Sequence, residues 1–311
     1  TLDDLSEEEI RRFVRRARKA RGFPLGEDTA PREVLEHLQL LDDGRPTNAA
    51  VLLFGEQPQR FLISSEVKCA HFHGTTRSKP IPFYRTYKGT LFETTDQAVD
   101  FVMSKINVAV GTREHSNQAP VAYEMPSEVV REAVVNAIAH REYASTASVQ
   151  VMLFSNRLEV WNPGTLTPML TLEKLREPHG SYPANPLVAE PLYLAGYIER
   201  MGTGTGDMIR RCREAGLDEP EFTLSDGFTI TIRRKPESAF EAVGGTSGVA
   251  ASEVTPEVAP EVTPEVARLL PALRGEMPRQ ALQEALDLKD DEHFRKAYLL
   301  PALNQHLKSG Q

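Results

Sequence analysis

Residues 128–143, EVVREAVVNAIAHREY, combine an apolar helical pattern with a regular row of polar side chains. Glu132, Asn136 and His140 stand four residues apart, so an α-helix places all three along one stripe. A carboxylate, an amide and an imidazole in such apolar surroundings are costly unless something binds them. The stretch therefore predicts a helix at the edge of a binding site. The alternative is an ordinary amphipathic helix with a solvated edge.

The composition is that of a globular protein with two or three domains. The chain has 311 residues, of which 40% are hydrophobic and 26% are charged, and both fractions are normal for packed domains. The net charge of −8 argues against a uniformly basic nucleic-acid-binding surface, although a local basic patch is compatible with it. Because the chain begins with Thr1 and ends directly after a helical pattern, we expect a fragment of a longer protein.

The cysteines and the hydropathy indicate a cytoplasmic location. Cys69 and Cys212 are far apart and lack metal-ligand spacing, so the sequence offers neither a disulfide framework nor a zinc site. It also lacks an apolar run long enough to cross a membrane and a secretory signal. We therefore expect a cytoplasmic protein without a membrane partner.

The N-terminal region reads as two helices and a strand. Residues 6–21 open with a Ser6–Glu9 capping box, and seven lysine and arginine residues crowd the polar faces of this helix. These cations have two interpretations, a solvated helix face or a surface that contacts phosphates. Pro31 is placed to begin a second helix, and the alternation in EVKCAHFHG predicts a strand that ends at Gly74.

The middle of the chain mixes helices and strands. Residues 91–108 have an amphipathic helical pattern, and residues 147–162 predict a β-hairpin that turns at Ser155-Asn156. A long Pro- and Leu-rich connection, residues 165–198, precedes the turn GTGTG at 202–206, which opens directly into another helix. Residues 227–234 alternate as a final strand. The fold class is therefore α/β (α+β).

The C-terminal part changes character. VTPEVAPEVTPEV repeats a short Pro-Glu-Val unit without a core-forming period, which is typical of an extended linker. Residues 264–308 then carry three short helical patterns that are compatible with a helix-turn-helix core. This tail is acidic on balance, so a small dimerisation or docking module is the alternative interpretation. We expect four segments, residues 1–75, 76–238, 239–263 and 264–311.

Three of these elements supply complementary parts of a nucleotide site. Gly202, Gly204 and Gly206 permit close backbone approach to phosphates, and the helix that follows them offers oriented N–H donors. An Asn carbonyl is a suitable ligand for a hard divalent cation, and a carboxylate one turn earlier can orient or deprotonate water. The Asn-Pro-Gly corner after the hairpin offers an amide to a base edge. Each signal alone is weak, since GTGTG also suits a simple helix-entry turn, and the GxxxxGK[ST] phosphate loop is absent.

At these residues the chain resembles a family. REAVVNAIAHREY, EVWNPGTL and ERMGTGTGDMIRRCREAGLDEPEF are similar to the nucleotide-binding module of the GHKL group, the gyrase, heat-shock protein, histidine kinase and MutL type. They resemble more closely bacterial transcriptional regulators, also described as ATP-dependent DNA helicase-like, that carry a Schlafen-type AlbA_2 domain. PTNAAVLLFGEQPQRF resembles the end of that AlbA_2 domain, and the tail is similar to a truncated winged helix. The resemblance implies a sandwich of helices on a mixed sheet.

The resemblance also implies a role for individual residues. Glu132 matches the acid that serves as general base, and Asn136 matches the asparagine that binds Mg²⁺. Residues 165–201 match the ATP lid. The remaining residues expected to contact the nucleotide are His140, Asn162, Gly164, Asn185, Gly202, Gly204 and Gly206. His140 has two further interpretations, a phosphorylated or catalytic histidine and, as we favour, a structural residue at the edge of the site.

Three departures from the family pattern bear on activity. Asn162 stands where the wider group has the aspartate that contacts adenine, so adenine selectivity is in question. Glu142 replaces an aspartate of the closer relatives. Ala184 precedes Asn185-Pro186 where those relatives often have arginine, so one phosphate-binding cation is missing. These differences weaken the case for fast hydrolysis more than the case for binding.

The sequence thus predicts an ATP- and Mg²⁺-binding module of a DNA-associated transcriptional regulator. The nucleotide acts as a conformational switch in this hypothesis, with slow or no hydrolysis. The expected partners are ATP, DNA through the N- and C-terminal regions, and a second copy of the chain in a homodimer. The alternative is a degenerate, non-hydrolysing scaffold that mediates protein or DNA contacts. A helicase is the least favoured class, because helicase motor motifs are missing.

Overall fold

The computed structural model describes residues 1–110, 121–199 and 202–235, with the side chains of 108–110 and 121–122 left aside. These residues form seven α-helices and ten strands. The helices are α1 (Glu7–Arg21), α2 (Pro31–His37), α3 (Asn48–Phe54), α4 (Leu91–Met103), α5 (Ser127–Ala139), α6 (Pro186–Leu194) and α7 (Gly204–Glu214). The strands are β1 (Leu41–Asp42), β2 (Arg45–Pro46), β3 (Val67–His71), β4 (Phe83–Tyr87), β5 (Val108–Val110), β6 (Val121–Tyr123), β7 (Val149–Leu153), β8 (Arg157–Asn162), β9 (Glu221–Leu224) and β10 (Phe228–Arg233).

A mixed six-stranded sheet in the order β4-β3-β7-β8-β10-β9 is the centre of the fold. β3 and β7 are parallel, whereas the other neighbours are antiparallel. The predicted hairpin is confirmed as β7 and β8, which meet where Leu153 pairs with Leu158. Helices and a mixed sheet in one body confirm the predicted α+β class and are consistent with a GHKL-like sandwich.

The two faces of this sheet differ in what covers them. Helices α4 and α5 contact β3, β7 and β8, and the side chains that alternate toward them, such as Val149 and Val151, are almost fully buried. The residues between them point to the opposite face, where Ala70, Phe72, Met152 and Phe154 form a small separate cluster. Because side chains alternate along a strand, the same six strands build both surfaces.

The N-terminal helices share the main core with the sheet. Phe13 of α1 packs with its ring centroid 5.4 Å from that of Phe54 in α3 and 6.1 Å from that of Phe92 in α4. All described residues belong to one compact unit. The predicted boundary at residue 75 falls between β3 and β4, which are hydrogen-bonded neighbours in the same sheet.

The cations of α1 are mostly engaged by carboxylates. The pairs are Arg11–Glu7, Arg12–Glu8, Arg12–Glu9, Arg15–Glu27, Arg16–Asp96 and Arg21–Glu199. This arrangement favours the solvated-face interpretation over a phosphate-binding surface. The expected capping box is not formed, because Ser6 makes no side-chain cap bond and the Glu9 carboxylate lies 2.8 Å from Arg12 instead.

The expected connection and lid contain a packed helix that the sequence did not reveal. α6 lies within the range 165–201, and its Leu192 is fully buried where the helix contacts α1 and α3. Pro191 lies inside this helix. Because proline disfavours the interior of a helix, its presence argued against predicting a helix from this stretch of sequence. The lid assignment therefore suits residues 165–185 better than the whole range.

Other predictions concern parts of the chain without a structural description. The linker (239–263) and the truncated winged-helix domain (264–311) lie outside the described residues. None of the described helices has both the length and the apolar character needed to cross a bilayer. Cys69 in β3 and Cys212 in α7 are both fully buried and free.

Candidate functional site

A cavity of about 400 Å³ opens between α5, the segment 165–183, α7 and the helix-covered side of the sheet. Its size is within the range of small-molecule sites. Six of the residues predicted for the site line it, namely Glu132, Asn136, His140, Asn162, Gly202 and Gly204.

The polar stripe of α5 presents an oriented amide to this cavity. Asn136 Nδ2 donates to Glu132 Oε1 at 2.9 Å, which leaves the Asn136 carbonyl oxygen for another partner. Burial of the Glu132 carboxyl raises its pKa, and the nearby carboxylates of Asp207 and Glu199 act in the same direction. A carboxyl with a raised pKa beside an oriented amide is typical of functional sites.

The glycine turn meets this stripe directly. A Cβ atom on Gly204 would lie 1.9 Å from Glu132 Oε1, so only glycine leaves room for the carboxylate in this position. The turn and the polar stripe of α5 therefore line the same cavity, as the sequence hypothesis requires. The pair places a carboxylate and an amide beside the N-terminus of α7.

Gly202 is required by both conformation and space. Its φ of +65° lies in the left-handed region, and a Cβ atom there would lie 1.9 Å from the His179 carbonyl oxygen. Within the described residues the backbone N–H groups of Gly204, Thr205 and Gly206 have no recorded acceptor. These groups belong to the first turn of α7, where a helix has unsatisfied donors and the positive end of its dipole.

Two residues of the cavity lining have a buried oxygen atom without a partner in the part of the chain that the structure describes. Asn162 is 2% exposed, and its Nδ2 donates to the Ala137 carbonyl at 3.1 Å. Among the described residues, Asn162 Oδ1 and Thr167 Oγ1 have no hydrogen-bond partner, and both residues line the cavity. An unpaired buried acceptor costs free energy, so these atoms point to a ligand that donates hydrogen bonds.

Three predicted site residues lie outside the lining. A Cβ atom on Gly164 would lie 2.6 Å from the His140 carbonyl oxygen. This glycine therefore lets the two backbone segments approach each other closely, and the space beside it is not open to a nucleotide base. Asn185 Nδ2 donates to the carbonyls of Ala139 and Arg141 at 2.9 and 2.8 Å and thereby fixes the end of α5. Gly206 lies in α7 with nothing within 4 Å of its Cβ position.

His140 occupies the boundary between the cavity and the end of α5. His140 is the C-cap residue that directly follows α5. Burial lowers the pKa of its imidazole. His140 thus lines the cavity with an imidazole whose neutral form is favoured.

Sequence reasoning missed several lining residues that are distant from the motifs. His179 accepts or donates at Nε2 to Thr205 Oγ1 at 3.1 Å, and Thr167, Glu190 and Glu199 also line the cavity. Thr205 had a local signal, because it lies inside the GTGTG turn. Thr167 and His179 lie in the connection before α6, Glu190 lies within α6 and Glu199 lies after it, where nothing in the sequence marks proximity to the cavity.

The electrostatic character of the cavity is acidic. Its described lining includes Glu132, Glu190 and Glu199 and the imidazoles of His140 and His179, but neither lysine nor arginine. Carboxylates thus outnumber cationic side chains in the described part of the lining.

Two segments of the chain match known protein families. Residues 146–232 match the family model HATPase_c_4, whose description is "Putative ATP-dependent DNA helicase recG C-terminal". The matched range includes Asn162, Gly202 and Gly204 and begins after α5. The chain therefore contains an ATPase-like region. Residues 264–308 match the C-terminal domain of Fic-like proteins, where Fic stands for filamentation induced by cAMP. The AlbA_2 and winged-helix parts of the resemblance are not among these matches.

A solved structure shares the fold. The crystal structure of the DIP2311 protein from Corynebacterium diphtheriae matches with a TM-score of 0.59 and 20% identity, over 76% of this chain and 46% of that chain. The present chain thus spans less than half of that protein. A search of curated proteins found no match.

Proposed function

We propose that the cavity binds ATP as its magnesium complex. The observation that carries this proposal is the unpaired, buried Asn162 Oδ1 in the cavity wall. An amide oxygen accepts a hydrogen bond from the exocyclic amino group of adenine, whereas guanine presents a carbonyl oxygen at the corresponding place and would be repelled. The site therefore favours ATP over GTP, although Asn162 replaces the aspartate of the wider group.

The phosphate end of the nucleotide is assigned to the N-terminus of α7. Gly202 and Gly204 line the cavity there, and the N–H groups of the first turn are oriented donors for anionic oxygens. Asn136 would hold Mg²⁺ through its carbonyl oxygen, since its amide nitrogen is already bound to Glu132. Bound Mg²⁺ would neutralise phosphate charge.

The acidic lining supports obligatory use of the metal. Glu132, Glu190 and Glu199 line the cavity, so the free energy of binding a metal-free triphosphate includes an electrostatic penalty. Glu132 is the candidate general base, and its raised pKa makes it a better proton acceptor than an ordinary carboxylate.

Hydrolysis is proposed to be slow or absent, with the nucleotide acting as a switch. Ala184 stands where a cation would assist the phosphates, and the described lining lacks lysine and arginine. In this proposal the bound nucleotide orders residues 165–185, and that change is passed to DNA-contacting parts of a regulator. The lack of lysine and arginine in the described lining also favours the second candidate function. In that function the chain is a scaffold whose degenerate site binds no nucleotide.

Calorimetric titration separates these two functions. We expect saturable heat with ATP and Mg²⁺, weaker binding of GTP, and at least about tenfold lower affinity for Asn136→Ala, equivalent to about 1.4 kcal/mol. The control is ADP with Mg²⁺, which retains the base contact. Absence of saturable heat with every nucleotide would favour the scaffold, and equal curves for wild type and Asn136→Ala would remove Asn136 from the site.

A further inference from the structure

The chain is strongly basic between β3 and α4. Residues 67–92 contain Lys68, Arg77, Lys79, Arg85 and Lys88 but neither aspartate nor glutamate, in a chain whose net charge is −8. Positive charge is therefore concentrated in one segment of an acidic protein. Such concentration is the electrostatic signature of a surface that binds anions.

Part of this segment surrounds a second cavity, on the sheet face opposite α4 and α5. The cavity has a volume of about 360 Å³. Lys68, Arg77 and Lys79 supply its charge, and the described lining contains no carboxylate. Ala70, Phe72 and Met152 form an apolar floor, and these residues belong to the small cluster of the open face. The cavity thus combines cations with an apolar surface.

The cations of this cavity are available to a stronger anion. Lys68 lies 3.3 Å from Glu66 and Arg77 lies 3.2 Å from Glu159, but both cations are exposed and such pairs contribute little to stability. Lys79 is exposed, and none of the described carboxylates forms a salt bridge with it. A phosphate group would therefore compete with the Glu66 and Glu159 carboxylates for the exposed ends of Lys68 and Arg77.

An aromatic ring stands beside these charges. Tyr84 in the edge strand β4 is 47% exposed and lines the cavity. It pairs with Ala70 across the strands, which places both side chains on the open face. Since Tyr84 needs no partner in the core, its exposed ring is free to stack on a flat group.

We propose that this cavity and the adjoining β4 strand bind single-stranded nucleic acid. Lys68, Arg77 and Lys79 contact the phosphates, and Tyr84 stacks on a base that lies over the apolar floor. Exposed aromatic rings beside a basic groove are the usual recognition chemistry for unpaired bases. A duplex keeps its bases stacked, so it cannot offer a base to Tyr84. This proposal does not depend on the ATP-binding proposal.

The first experiment measures fluorescence anisotropy of labelled oligothymidine and oligouridine, about fifteen nucleotides long, with the full chain. We expect saturable binding that weakens as salt rises from about 50 to about 200 mM, with a slope near −0.7 per phosphate contact. The preferred oligonucleotide identifies DNA or RNA as the source, and either result supports the proposal. A duplex of the same length should compete poorly.

Matched charge reversals locate the surface. The double variant Arg77→Glu with Lys79→Glu should bind at least about tenfold more weakly and show a smaller salt slope. The control double variant, Arg18→Glu with Lys19→Glu on α1, makes the same charge change at two exposed cations and should remain within about twofold. Thermal unfolding followed by circular dichroism establishes that both variants are folded.

The contribution of the ring is tested separately. Tyr84→Ala should weaken binding about tenfold, whereas Tyr84→Phe should retain it, because stacking needs the ring and not the hydroxyl. Equal losses for the two charge-reversed variants would overturn the site in favour of a general field effect. Absence of saturable binding would also overturn it, as would stronger displacement by polyglutamate than by unlabelled oligonucleotide, which would assign the surface to an acidic protein.

Discussion

The two cavities lie on opposite faces of one sheet, are similar in volume, and differ in charge. The helix-covered cavity of about 400 Å³ is lined by Glu132, Glu190 and Glu199, whereas the open-face cavity of about 360 Å³ is lined by Lys68, Arg77 and Lys79. Both suit a phosphate-bearing ligand, but by different means. In our two proposals the acidic cavity binds a phosphate together with Mg²⁺, and the basic one contacts phosphate directly.

Their construction differs as well. The helix-covered cavity depends on backbone geometry, with Gly202 and Gly204 packed against other groups. The open-face cavity depends on exposed side chains that extend from strands and a loop. We therefore expect substitutions at the first to affect folding and binding together, and substitutions at the second to affect binding alone.

The largest effect is expected for Gly202→Ala. The residue has φ +65° and a Cβ atom would lie 1.9 Å from the His179 carbonyl oxygen, so the backbone must move. We expect the free energy of unfolding in urea to fall by about 2–4 kcal/mol and ATP binding to be lost. The matched control Gly206→Ala has open space and should raise stability by up to about 1 kcal/mol. Similar unfolding curves for both variants would contradict the role of the turn.

Removal of magnesium sharpens the contrast between the cavities. With EDTA present, ATP affinity should fall at least about tenfold, because the acidic lining then faces uncompensated phosphates. Binding of the oligonucleotide should stay constant or become stronger, since Mg²⁺ competes for its phosphates. Calorimetry and anisotropy measure the two affinities in the same buffers. Parallel loss of both would indicate one shared site.

The pH dependence of stability tests the raised pKa of the Glu132 carboxyl. The pKa of Glu132 is raised in the folded protein, so the folded state binds its proton more tightly, and stability is lost as pH rises through the folded pKa. Glu132→Gln removes this loss. We expect the variant to gain stability relative to wild type at neutral pH and to lose that advantage below the usual range of a carboxyl. A difference independent of pH would contradict the prediction.

The smallest effect on folding is expected at the open face. Tyr84→Ala removes an exposed ring of an edge strand, and surface substitutions usually change stability by less than about 0.5 kcal/mol. Urea denaturation should therefore give nearly the wild-type midpoint even though oligonucleotide binding is weakened. A large loss of stability would show that the ring has a structural role.

Local patterns predicted much of the fold. The stripe in α5, the alternation in β7 and β8, and the glycine turn before α7 each depend on neighbouring residues, and the structure has all three. α6 was missed because Pro191 interrupts its pattern. The edge strand β4 was missed because four of its five side chains are exposed and none of them marks a buried face.

The candidate site was predictable only where its residues belong to those patterns. Glu132, Asn136 and Gly204 were found because motif spacing marks them. Glu199 and His179 come to the cavity through tertiary packing, which spacing does not encode. Gly164 and Asn185 were expected to contact the ligand. In the structure Gly164 lies against the His140 carbonyl, and Asn185 donates to the carbonyls of Ala139 and Arg141. Both residues therefore contribute to chain packing, which their residue types do not reveal.

Cys69 and Cys212 are both buried and free, so the rate at which each thiol is alkylated reports how often the structure around it opens. Burial raises the pKa of Cys69 to about 12 and that of Cys212 to about 11, so neither reacts with an alkylating reagent until its surroundings separate. We expect Cys212 to become reactive when α7 detaches, and Cys69 only when β3 separates from β4 and β7 or from the helix α4 that covers it. Mass spectrometry of alkylated peptides would therefore measure the two alkylation rates separately. A ligand bound at the N-terminus of α7 should slow the alkylation of Cys212 more than that of Cys69.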